Sequence, residues 1–169
     1  MGEDLVNTLT TFVVNPMNIL VLVGSSRRGS FNGQLADAAV ALLPAGATVT
    51  TFDLTTLPFY DADRDAAGEL GPVVQQLRAA VTDADALLVA SPAYNGGMAA
   101  EVKNAIDTAS RPPGAAAIAG KPVGVLTSPF NPKAGASVAD QLTMALTIAG
   151  AKPVGAVIAP LAQSFENDD

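Results

Sequence analysis

Short apolar runs alternate with longer stretches of helical spacing along most of this chain. The first run, Ile19-Leu20-Val21-Leu22-Val23, predicts a strand over Asn18–Val23. Further strands are predicted over Thr48–Phe52, Ala86–Ala90, Pro122–Thr127 and 154–159. Between them apolar residues recur every three or four positions, the spacing of one helix face. Leu35, Ala38, Ala39, Leu42 and Leu43 form such a stripe over 34–43. Val73, Val74, Leu77, Ala80 and Val81 form another over 71–82. Val102, Ala105, Ile106 and Ala109 give a third helix, ended by Arg111-Pro112-Pro113-Gly114. Val138, Leu142, Ala145, Leu146 and Ala149 give a fourth.

Strand, loop and helix thus repeat four times, and a fifth strand closes the series. Such a series predicts a parallel sheet with helices on both faces, an α/β architecture. Five strands with one topological switch give the flavodoxin-like, doubly wound order 2-1-3-4-5. The loops after strands one, three and four then lie together at the carboxyl ends of the strands, where such sheets bind ligands. One domain is expected over 17–169, preceded by an extension over 1–16. Thr11-Phe12-Val13-Val14 in that extension reads either as an edge strand or as a loose arm. The polar residues 165–169 read as a frayed tail.

Composition narrows the chemistry. Apolar residues make up 49% of the 169 and charged residues only 15%, which fits strands covered by helices. The formal charge is -7, and no basic patch is visible, so duplex nucleic acid is not an expected partner. The chain has no Cys and no His. Disulfides, thiolate catalysis, Cys/His metal sites and a histidine general base are therefore excluded. No apolar run reaches the roughly 20 residues of a membrane span. The start is acidic at Glu3 and Asp4, without the basic region of a signal peptide, and the expected location is the cytoplasm.

Three loops carry the candidate chemistry. The first, Gly24-Ser25-Ser26-Arg27-Arg28-Gly29-Ser30-Phe31-Asn32-Gly33, joins strand one to its helix. A strand-to-helix turn presents free backbone N–H groups and the positive end of a helix dipole. Glycines allow a tight turn, hydroxyls and an amide offer neutral donors, and two arginines add charge. That set suits a phosphate. It also suits a polar loop with two solvated arginines, because neither G-x-G-x-x-G nor G-K-[ST] is present. The second loop is Ser91-Pro92-Ala93-Tyr94-Asn95-Gly96-Gly97-Met98, and the third runs from Ser128 to Gly135. A long connection over 55–65 carries Pro58, Phe59 and Tyr60. It reads either as a functional or interfacial loop or as a solvated one.

Two stretches carry a resemblance. GSSRRGSFN is similar to the G-S-x-R-x-x-S-x-N loop of the NADPH-dependent FMN reductase family, whose relatives reduce quinones, azo dyes or chromate. SPAYNGGMAAEVKNAIDTASRP is similar to that family's P-x-Y-N…L-K-N-A-I-D-W…S-R-P pattern. The chain resembles this family over roughly residues 17 to 160. It departs from the pattern at Ala99-Ala100, at Val102, at Thr108 and in the third loop, where Pro129-Phe130-Asn131-Pro132 replaces a glycine-rich segment.

The resemblance implies FMN with its phosphate in the first loop, held by Ser25, Arg27, Ser30 and Asn32, with Phe31 contributing a backbone N–H. Pro92, Ala93, Tyr94, Asn95 and Gly96 match the positions that line the flavin ring, and Ser128 completes the implied set. Arg28 matches no role and reads as solvated. Lys103, Asn104 and Asp107 match a helix motif and read as structural or interfacial. The implied activity is hydride transfer from NADPH or NADH to flavin and on to a small-molecule acceptor, in a homodimer or homotetramer. The flavin carries the chemistry, and no side chain is assigned a catalytic role. Two other classes stay open: a flavodoxin-type electron carrier, suggested by the acidic surface, and a non-redox module on the same fold.

Overall fold

The computed structural model describes residues 16–160. The expected extension and tail, over 1–15 and 161–169, lie outside the described residues. The elements run β1 (Asn18–Val23), α1 (Phe31–Ala41), β2 (Thr48–Phe52), a short 3-10 turn (Leu54–Thr56), α2 (Ala62–Ala66), α3 (Pro72–Asp83), β3 (Ala86–Ala90), α4 (Ala100–Ala109), β4 (Pro122–Thr127), α5 (Pro132–Ile148) and β5 (Lys152–Ile158). The five strands form one sheet in the order β2-β1-β3-β4-β5, and every pairing is parallel. This is the flavodoxin-like arrangement.

Alternation along the strands divides the core. Leu20 and Leu22 of β1, Leu87 and Val89 of β3, and Val123 and Val125 of β4 pack against α3, α4 and α5. Ile19, Val21, Ala90 and Leu126 point the other way, toward Ala36 and the partly buried Leu35, Ala39, Val40 and Leu43 of α1. The central strands are therefore covered on both faces, as a parallel sheet requires. The edges are not. All of β2 but Phe52 is exposed, and Val154 and Val157 of β5 stand in solvent.

Three local expectations shift. The first helix starts at Phe31 rather than at 34, because Ser30 caps it by accepting from the Gly33 amide. The longer helix buries Asn32 and Ala36, while Ala38 is exposed and Leu42, its C-cap, is 86% exposed. The last helix starts at Pro132, inside what reads as the third loop, because Asn131 accepts from the Lys133 amide and Pro132 presets the first turn. The long connection is structured as well. Asp53 and Asp61 cap the 3-10 turn and α2. Asn104 of α4 holds the span between them, donating to the Pro58 carbonyl at 2.9 Å and accepting from the Tyr60 amide at 2.8 Å.

Candidate functional site

The loops that follow β1, β3 and β4 meet at the carboxyl ends of the strands. They enclose a hollow of about 160 Å³ lined by Ser25, Arg27, Ser30, Phe31, Asn32, Pro92, Ala93, Tyr94, Ser128, Pro129 and Phe130. The structure thus brings together every residue the sequence singles out for cofactor contact except Asn95 and Gly96. Those two form the tip of the second loop. A larger recess of about 670 Å³ lies elsewhere, beside Asp65, Arg78 and Arg111. Its Arg78 is committed to Asp65 by paired bonds of 2.9 and 2.7 Å, so the smaller hollow is the better candidate on chemistry.

The first loop is built to open at its end. The Gly24 amide donates to the Ala90 carbonyl at 2.8 Å and ties the loop's start to β3. A Cβ on Gly24 would stand 2.4 Å from Val102 Cγ2, so only glycine lets β1 end this close to α4. Gly29 has a left-handed backbone, φ 66°, which turns the chain into Ser30 and α1. The dipole of α1 adds positive potential at its first turn. Arg27 lies with its guanidinium 5.2 Å from the centroid of the Phe31 ring and donates to the Gly29 carbonyl at 3.4 Å. Among the described residues that line the hollow, Arg27 alone carries a charge. In a chain of net charge -7 that placement favours an anionic group.

Asn32 is buried at the lining of the hollow. Its Oδ1 accepts from the Ser128 amide at 2.9 Å, and its Nδ2 donates to the Ser128 carbonyl at 3.3 Å. It staples the first loop to the third. Ser128 Oγ is buried without a hydrogen-bond partner among the described residues, and Ser128 is one of the residues that line the hollow. A buried hydroxyl without a partner costs free energy unless something fills its place.

The second loop is a tight turn. Tyr94 and Gly97 exchange backbone bonds of 2.9 Å each, and Asn95 and Gly96 take φ 50° and 81°. Its tip is anchored from α5: Gln141 Nε2 and Ser137 Oγ both donate to the Gly96 carbonyl, at 2.8 and 3.1 Å. Gly96 thus serves the turn and its anchor. Below it, the buried Ser91 hydroxyl accepts from the Ala99 amide at 2.9 Å and fixes the loop against α4. Sequence reading does not single out Gln141 and Ser137. Their signal is a polar pair four residues apart on a helix whose opposite face is apolar. Lys103 and Asp107 pair with each other on the exposed side of α4, at 2.7 Å. Arg28 is exposed, as expected.

Residues 17–166 match the NADPH-dependent FMN reductase family. The chain belongs to that family. Among curated proteins it is similar to an NAD(P)H-dependent FMN reductase of Pseudomonas aeruginosa, with 41% identity over 65% of this chain and 58% of the relative. It is similar to a 2-hydroxy-1,4-benzoquinone reductase of a Burkholderia species, with 40% identity over 65% of this chain and 59% of the relative. The matches thus span under three fifths of those relatives' lengths. Among solved structures it is similar to FerB, a flavoenzyme NAD(P)H:(acceptor) oxidoreductase from Paracoccus denitrificans. The TM-score there is 0.72 and the identity 28%, over 87% of this chain and 77% of FerB. Among the described residues no helix is long and apolar enough to cross a membrane, and no cluster of acidic, Cys or His residues could hold a metal.

Proposed function

We propose that the chain is an FMN-dependent oxidoreductase that takes hydride from NADPH or NADH and passes it to a small-molecule acceptor of the quinone class. The observation that carries this reading is the hollow itself, where three loops meet and Ser25 and Ser30 stand beside its one charge, Arg27. These residues fit a phosphate ester: a hydroxyl donor, a guanidinium and the open end of a helix. When bound, FMN would supply the hydride acceptance and donation that no side chain supplies, and that chemistry needs neither His nor Cys.

The residues divide the remaining work. Arg27, Ser25, Ser30, Ser128 and the first turn of α1 bind and orient the phosphate. The hollow of about 160 Å³ would hold the phosphate end of FMN, and Tyr94 at the same hollow would stand beside its ring system. The relatives named for FMN and for a benzoquinone support that acceptor class.

The test is the visible spectrum of the purified protein after loading with FMN, with and without each nicotinamide. Bleaching by NADPH or NADH, reversed by a benzoquinone, is expected. A protein that takes up no FMN at micromolar concentration overturns the reading. Uptake without reduction makes the protein an electron carrier.

A homodimer or homotetramer completes the proposal. Phe59 is 79% exposed at the tip of a connection that Asn104 holds in place, and a second copy would cover it. Light scattering at a mass near 17.0 kDa, with activity intact, would refute an obligate oligomer.

A further inference from the structure

The larger recess carries chemistry of its own. It holds about 670 Å³ and shares no lining residue with the hollow. That volume lies within the range of small-molecule sites. Part of its wall comes from α2 and α3, and part from the stretch between α4 and β4. The latter part is held in place. The Ala115 amide donates to the Pro112 carbonyl at 3.1 Å, and the Ile118 amide donates to the Ala109 carbonyl at 3.2 Å. Pro112 and Pro113 fix two further backbone torsions there.

Charge in this recess does not cancel. Its lining carries one carboxylate, Asp65, and two guanidiniums, Arg78 and Arg111. Arg78 is fully engaged. Its two terminal nitrogens donate to Asp65 at 2.9 and 2.7 Å, and its Nε donates to the Thr108 carbonyl at 3.1 Å. The Arg111 guanidinium, by contrast, has no ion pair and no hydrogen bond among the described residues. The side-chain amide of Gln75, on α3, is likewise without a partner there. One positive charge and one neutral donor thus stand open in a chain of net charge -7. A planar guanidinium beside an amide donor matches the two oxygens of a carboxylate. Tyr60, Pro112, Pro113 and Ala117 line the same recess and suit a flat apolar body.

We propose that this recess is a second binding site, for a small aromatic carboxylate, with Arg111 and Gln75 holding the carboxylate and Tyr60 lying along the ring. The site stands apart from the FMN reading, because no residue serves both.

The test is calorimetry of naphthoate with the protein before and after loading with FMN, at one low salt concentration. Wild type should bind naphthoate at millimolar concentration or tighter, equally well in both forms. Naphthol, which lacks the carboxylate, should bind more weakly. Arg111→Gln should weaken naphthoate by about three- to ten-fold, between the worth of an exposed ion pair and that of a hydrogen bond to a charged group. Gln75→Ala should weaken it by about two- to five-fold and leave FMN uptake unchanged. Both side chains belong to exposed residues, so the fold should tolerate either change, and thermal unfolding checks that it does. No binding by wild type overturns the proposal, and so does equal binding by wild type and both variants. Loss of binding on loading with FMN places the probe in the hollow and overturns it as well. Light scattering runs alongside. An affinity that falls as protein concentration and mass in solution rise means that a second copy covers the recess, which also overturns the site. A protein that takes up no FMN overturns the FMN reading alone, and titration of the unloaded form still decides the recess.

Discussion

Asn32 and Ser128 stand 96 positions apart and close on each other through two hydrogen bonds, of 2.9 and 3.3 Å. The pair joins the start of α1 to the loop after β4, across the mouth of β3. It fixes where Ser128 Oγ and Phe130 sit. Asn32 is 3% exposed, so both bonds are shielded from water. Asn32→Ala would leave the Ser128 amide and carbonyl unpaired in the interior, at a cost of about 1–3 kcal/mol. The expected result is a lower denaturation midpoint for the flavin-free protein. An Asn that only touched a phosphate would leave that midpoint where it is.

The glycines of the first loop differ in what they permit. A Cβ on Gly24 would stand 2.4 Å from Val102 Cγ2 and 2.9 Å from Ala99 Cβ. Gly24→Ala should destabilise by about 1–3 kcal/mol, as overpacking does. Adding Val102→Ala should recover part of that, because it removes the nearer atom. Gly33, inside α1, meets nothing closer than Ser30 Cβ at 3.7 Å. Gly33→Ala should therefore be neutral or stabilise by up to ~1 kcal/mol through helix propensity. Urea titrations of the three variants measure this. Equal losses for the two Gly→Ala changes would contradict the packing account.

Much of this architecture is legible in the sequence. The strands β1, β3 and β4 fall where their apolar runs place them, because a central parallel strand has no polar face to blur its ends. The two signatures bring eight site positions to one hollow, and Ser128 of the third loop is a ninth, because loops after β1, β3 and β4 must meet at one sheet edge. What periodicity does not show is side-chain bracing. Asn32 reads as a ligand in a motif, and its second role as a staple is not visible there, since its partner lies 96 positions away. Leu42 reads as part of the buried stripe and is exposed, because α1 ends at Ala41 and Leu42 is its C-cap. Gln141 and Ser137 carry no apolar signal, so their grip on Gly96 appears only in three dimensions.

Acid should reveal the Asp65–Arg78 pair. The Arg78 guanidinium, bonded at 2.7 Å, holds the Asp65 carboxyl below its ordinary value of 3.8, aided by Arg111 and against a smaller opposing effect of burial. A carboxylate with a depressed folded pKa stabilises the fold above its unfolded value. That contribution is complete above 3.8 and fades as pH falls through the lower, folded value. Asp65→Asn should therefore lower the thermal midpoint at neutral pH. The gap to wild type should shrink as the buffer is taken toward about pH 2. A gap that stays constant with pH would mean that the ion pair contributes no pH-linked stability.

Arg27 offers the sharpest test of the site. It lies over the Phe31 ring at 5.2 Å, and its guanidinium donates to the nearby Gly29 carbonyl at 3.4 Å. No carboxylate among the described residues is within ion-pair distance of it, so its charge is not neutralised. Phe31 orients the guanidinium at the edge of the hollow and leaves that charge intact. Arg27→Ala should weaken FMN by roughly 1.5–3 kcal/mol, the range for a hydrogen bond to a charged group. In affinity that is roughly ten- to hundred-fold. Riboflavin shares the ring but lacks the phosphate, and its affinity should hold. Arg28→Ala should change neither, because Arg28 is exposed and outside the hollow. Phe31→Leu keeps the helix start and removes the ring. It should weaken FMN by about 0.5–1 kcal/mol, the worth of an exposed cation–π contact, and leave riboflavin alone. Calorimetry of the four proteins with both ligands, at one salt concentration, gives the whole pattern. If riboflavin weakens in step with FMN in Arg27→Ala, the substitution has deformed the whole loop, and Arg27 is not the phosphate ligand.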